Sequence, residues 1–203
     1  MSWRRTDHRL AAIDAYRAPA IVRQRFAAEH DKLAQADLDQ VESATRQWFR
    51  LAARHPRAKL TMPSSAAYAL WRGVALQTDY AAFSKQAFGR RFPPPPADAA
   101  SPPGVDFGAL AETHRLARQD EPGGPTALPL LFRIDQQLKF PGGRRYLADC
   151  GGRGTCYDVP GALCLQHLQG AGRPVRGRNP FGPPPPDYSS PGGGGPGCGG
   201  GAG

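Results

Sequence analysis

No apolar run in this chain approaches the roughly 18 residues that a membrane-spanning helix needs, so no membrane partner is expected. The opening stretch, MSWRRTDHRLAAIDAYRAP, also lacks the unbroken apolar segment of a secretory signal, because Asp7, His8, Arg9 and Asp14 interrupt it. A cytoplasmic location is the resulting expectation. Cysteine is scarce: there are four in 203 residues, none before Cys150. In a reducing compartment such thiols are unpaired or metal-bound before they are disulfides. Lysine is scarcer than arginine, with four among 26 basic residues. Beside abundant Ala, Gly and Pro, that ratio reflects genomic composition more than a selected basic surface. The net charge of +9 is spread along the chain. This dispersion weakens a nucleic-acid reading, which is carried as an alternative and not favoured.

Several chemistries lack their motifs. There is no phosphate-cradling P-loop, no dinucleotide fingerprint, no helical zinc-protease motif and no nucleophile-elbow serine. Glycine clusters such as Pro141-Gly142-Gly143 lack the strand-then-helix setting of a nucleotide site. None of the five histidines sits beside a plausible catalytic nucleophile in sequence. His114 falls near the apolar side of a predicted helix, where a buried structural histidine is the simpler reading. No catalytic residue is assigned.

What the chain does have is helical periodicity. Residues 8–34 read as helical, with Pro19 placed as a first-turn proline. In 37–55, Leu38, Val41, Thr45, Trp48 and Ala52 recur on one helical face. Asp37 is the expected cap and His55-Pro56 the stop. Ser64 or Ser65 is expected to cap a helix that buries Ala67, Leu70, Trp71 and Val74. Thr78 is expected to cap the next, with Tyr80, Phe83, Ala87 and Phe88 inward and Gly89 at its end. Two more helices are read at 106–119, burying Phe107, Leu110 and Leu116, and at 127–138, with Leu130, Leu131, Ile134 and Leu138 inward. No alternating strand pattern exceeds a few residues. The predicted fold is all-α, a small bundle of about five to seven helices over 1–150, interrupted by a proline-rich loop at 92–104. A turn-rich Cys/His segment (151–169) and a Pro/Gly-rich tail (170–203) follow. The tail is expected to be disordered, because it cannot bury enough apolar area to offset its ordering entropy.

Two constellations stand out. Cys150, Cys156, Cys164 and His167 form a thiolate-and-imidazole set of the kind tetrahedral zinc takes, although the gaps between the cysteines are loose. Zinc is therefore the one cofactor weighed. On the predicted 37–55 helix, Arg46, Arg50 and Arg54 form a row spaced by four, almost opposite the apolar face. That row is either a solvated back or an anion-contacting ridge, since each guanidinium can take a phosphate or carboxylate. The Gly/Arg run at 170–182 is a second place for a polyanion.

Pro63-Ser64, Leu70-Trp71, Leu76, Thr78, Tyr80, Phe83, Ala87-Phe88-Gly89, the segment 127–132 with Asp135, and then Tyr146, Asp149-Cys150, Cys164, His167 and the Gly/Cys tail make a pattern. It resembles the bacterial glycine-rich domain-containing proteins, relatives of the plant proteins of that name, with this chain a divergent member. That resemblance places an acidic residue where Tyr68 stands, a histidine at Arg72, a cysteine at Ser84 and histidines at Pro93 and Pro94. The polar side chains of the pattern are replaced here and the apolar skeleton is retained. Arg72 cannot serve as a base, because a guanidinium stays protonated. The expected function is a non-catalytic interaction or scaffold role with an unknown protein partner, with zinc binding and polyanion binding as alternatives.

Overall fold

A computed structural model of the chain describes residues 2–95, 106–123, 127–148 and 161–169. Among them helix dominates, as the periodicity predicts. The elements are α1 (Ser2–Ala15), α2 (Ala20–Glu29), α3 (Gln35–Arg54), α4 (Ser65–Ala75), α5 (Tyr80–Phe88), α6 (Phe107–Asp120) and α7 (Leu130–Gln137). Two short strands follow, β1 (Arg145–Leu147) and β2 (Ala162–Cys164), and then a helical turn, α8 (Gln166–Gln169). The fold is all-α in class. Its strands are three residues each and pair in parallel, with Leu147 opposite Cys164.

Helix α3 is the axis of the bundle, and α1, α4, α5, α6 and α7 all pack on it. The predicted stripe Leu38, Val41, Thr45, Trp48 and Ala52 is buried, as are Glu42, Gln47 and Phe49 outside it. The buried arc is therefore wider than one stripe, as a central helix requires. Around Phe49 and Trp71 a ring cluster gathers Tyr16, Trp48, Phe83, Phe88 and Phe92, with centroids 4.0–6.4 Å apart. Leu165 belongs to the same core, so the described part of the turn-rich segment packs onto the helical body.

Local chemistry sets the boundaries. The 8–34 region splits in two, because Pro19 stands just before α2 and not inside its first turn. Asp37 lies at the third position of α3, and its carboxylate reaches back to accept from the Ala34 amide at 2.9 Å. Ser64 caps α4 by accepting from the Ala67 amide at 3.0 Å. Thr78 does not cap α5. Asp79 precedes the helix, already has right-handed helical dihedrals and makes no side-chain cap bond. Gly89 ends α5 at φ 69°, the left-handed position that favours glycine. Asp106 caps α6 through the Ala109 amide, and Phe107 is only half-buried. Helix α7 starts three residues later than predicted, after Pro129, and Leu130 and Leu138 are half-buried. The proline loop at 92–104 is described only as far as Pro95, and the tail from 170 lies outside the described residues.

Candidate functional site

The polar core is built from helix N-termini. The first amides of any α-helix have no partner within the helix, and a buried start must find acceptors elsewhere. Helix α4 finds them on α7. Asp135 is buried at 3 % exposure. Its carboxylate accepts from the Ser64 hydroxyl at 2.6 Å, the Ser65 amide at 2.7 Å and the Ala66 amide at 3.1 Å. It also accepts from the Arg144 amide at 2.9 Å, which fixes the turn leading into β1. Gly143 allows this approach, because a Cβ there would lie 2.7 Å from the Phe140 carbonyl oxygen and 2.9 Å from the Asp135 Cβ. Around the same junction the Tyr146 hydroxyl donates to the Pro63 carbonyl at 2.9 Å, and the Arg144 guanidinium donates to the Met62 carbonyl at 3.1 Å. A charged acceptor at a helix N-terminus also complements the helix dipole.

Helix α7 is served in the same way. Pro129 has no capping side chain, so the Leu130 amide donates to Glu121 Oε2 at 2.8 Å and the Leu131 amide to Gln47 Oε1 at 2.8 Å. Gln47 Nε2 donates to Glu121 at 3.0 Å, and Arg133 donates to it at 2.8 Å. Burial works against the charge of Glu121, but these bonds outweigh it and hold its carboxyl below the usual range. Glu42, also buried, accepts from the Ala18 amide and from Arg23 at 2.6 Å, tying the α1–α2 connection to α3. His114 is buried edge-on to Phe132, with ring centroids 5.1 Å apart. Burial, with the Arg118 charge nearby, lowers its pKa to about 4, so the ring is neutral at pH 7.

Tyr68 and Arg72 lie on α4, Ser84 on α5, and Pro93 in the segment after α5. Tyr68 is buried edge-on to Trp71. Trp71 Nε1 donates to the Tyr80 hydroxyl at 3.1 Å and its ring stacks on Phe92 at 5.5 Å. Ser84 is fully buried. Its hydroxyl accepts from the Phe92 amide and donates to the Arg90 carbonyl at 3.2 Å. In this chain Ser84 thus pins the turn after α5, next to the Phe92 ring that packs on Trp71 and Phe88. Arg72 is half-buried, and Pro93 follows Phe92 on the surface.

The predicted arginine row does not stand free. Arg46 donates to Ser43 at 2.9 Å and to the Tyr16 carbonyl at 3.3 Å. Arg50 pairs with Asp14 at 2.5 Å, and Arg54 pairs with Asp120. The row is a seam that fastens α1 and α6 to α3. Of the zinc set, Cys150 and Cys156 lie outside the described residues. Cys164 is buried at the end of β2 beside Leu147, and His167 falls in α8. Among the described residues no three metal-capable side chains converge, and no helix is long and apolar enough to cross a membrane.

Residues 8–167 match the model of the UCP032817-like family, and the chain belongs to that family. The name carries no activity. No curated protein and no solved structure matches the chain.

Proposed function

We propose that this protein is a non-catalytic interaction or scaffold module of the cytoplasm. The observation that carries this reading is how the buried Asp135, Glu42 and Gln47 and the half-buried Glu121 are used. Asp135, Glu42 and Gln47 with Glu121 each satisfy helix-start or linker amides, so their lone pairs serve the fold. A catalytic acid or base needs a lone pair or proton aimed at a substrate. Among the described residues the exposed large apolar side chains are Ile21 on α2 and Leu76 at the end of α4. Site-specific photo-crosslinking at Ile21 and Leu76 in the native host tests the reading. A discrete heavier adduct at either position, absent at exposed Gln119, supports it. Identical patterns at all three positions count against it.

A second reading is zinc binding through Cys150, Cys156, Cys164 and His167. The parallel register favours it. Leu147 faces Cys164, Cys150 follows the first by three residues and His167 follows the second by three, so both segments leave the same end of the strand pair. Three thiolates and one imidazole suit tetrahedral zinc. Metal analysis of untagged protein decides it: less than about half an equivalent of zinc, unchanged in C164S, removes the idea. We further propose kinship with the bacterial and plant glycine-rich domain-containing proteins, supported by the retained Leu70-Trp71, Tyr80, Phe83 and Ala87-Phe88-Gly89 skeleton.

A further inference from the structure

The basic excess looks dispersed in sequence, but folding sorts it. Among the described residues, ion pairs occupy Arg23, Arg46, Arg50, Arg54, Lys59, Arg115 and Arg133. A different set collects where α1 meets the end of α5. The Arg9 guanidinium lies over Gly89, where a Cβ would collide with it. The Gly89 amide donates to the Lys85 carbonyl, so Lys85 sits one turn back on the same side of α5. Arg90 and Arg91 come next and are exposed.

This corner is rigidly presented. Ser84 grips the turn from inside at the Arg90 carbonyl and the Phe92 amide. Phe92 is anchored between Phe88, at 4.3 Å, and Trp71. The two arginines between these fastenings point their charges outward at little ordering cost. Among the described residues of α1 and α5, no acid dilutes the corner. The exposed face of α5 carries Ala81, Ala82, Lys85 and Gln86. On α1, Asp7 is two residues from Arg9, about 200° around the helix, and Asp14 is taken by Arg50.

We propose that Arg9, Lys85, Arg90 and Arg91 form a docking surface for the phosphodiester backbone of a duplex nucleic acid. Arginine forks match phosphate oxygens in pairs. Among the described residues the exposed large apolar side chains, Ile21 and Leu76, lie on other elements, so the described corner offers no wedge for a bilayer. Phe88 and Phe92 are buried, so it has no stacking platform for unpaired bases. A backbone-only contact remains, without sequence readout. The inference rests on the interaction-module reading but uses a different surface.

The test is fluorescence anisotropy of a short labelled DNA duplex with the full chain between about 50 and 200 mM salt. Four phosphate contacts predict a log–log salt slope of about −3 to −4. R90E/R91E, folded by circular dichroism, should weaken binding at least about tenfold and flatten the slope by about two. R25E/R145E carries the same charge change on exposed arginines of α2 and β1 and should retain the slope. Equal loss in both variants, absence of duplex binding at low salt, or binding only to phosphatidylserine vesicles would each overturn the proposal. The crosslinks at Ile21 and Leu76 are read independently, so either idea can fail alone.

Discussion

Replacing Asp135 with alanine should cost this protein a large share of its stability. Three backbone amides (Ser65, Ala66, Arg144) and the Ser64 hydroxyl would lose their acceptor within a buried site. An orphaned buried donor costs about 1–3 kcal/mol. Ser64 can turn its hydroxyl elsewhere, and water entering the space left by the carboxylate can recover part of the rest. We therefore expect a net loss of about 4 kcal/mol, against about 5–15 kcal/mol for a whole domain. D135N is the sharper probe. Its carbonyl keeps two acceptor sites, but its amide group faces donors, so a loss of about 2 kcal/mol is expected. Urea unfolding followed by tryptophan fluorescence reads both, with E112A as a surface control that should move by less than about 0.5 kcal/mol. A D135A loss below about 1 kcal/mol, with the unfolding slope unchanged, would refute the reasoning.

Three further outcomes follow from the same geometry. G143A should lower the melting temperature by several degrees, because its Cβ would press on the Phe140 carbonyl and Asp135; calorimetry checks it, and a G142A control has no contact to lose but must still accept φ 65°. R50A should cost less than about 1 kcal/mol in urea unfolding, since both partners of the Arg50–Asp14 pair are more than a third exposed. His114 is held near pKa 4 in the fold and titrates near 6.5 unfolded, so the unfolded chain binds the extra proton between those values. Its contribution is present above pH 6.5 and lost as pH falls towards 4. H114F should therefore flatten the pH dependence of unfolding across that window by about 3 kcal/mol, and an unchanged profile would contradict the assignment.

Periodicity made much of the bundle legible. Tyr80, Phe83, Ala87 and Phe88 are buried as their spacing predicts, and so are Leu70, Trp71 and Val74. Helix starts were legible where a side chain caps locally, as at Ser64, and misread at α5, whose start carries no side-chain cap. The polar framework was not legible. Asp135 looks like one more polar residue of an amphipathic helix, and its partners Ser64, Ser65 and Ala66 lie about 70 positions earlier. Arg50 and Arg54 look like a free ridge until tertiary packing brings Asp14 and Asp120 to them. The reverse holds at Arg9, Arg90 and Arg91, scattered in sequence and gathered by the α1–α5 contact. Helical pattern reports which face is dry. It carries no information on which distant element supplies an acceptor or a counter-charge.

Native-state amide hydrogen exchange by NMR tests the Asp135 tie most directly. If the buried carboxylate is the acceptor for the start of α4, the Ser65, Ala66 and Arg144 amides exchange only through global unfolding, and D135A releases all three together. Exchange of those amides at the rate of an open loop in the unmodified protein would contradict the account.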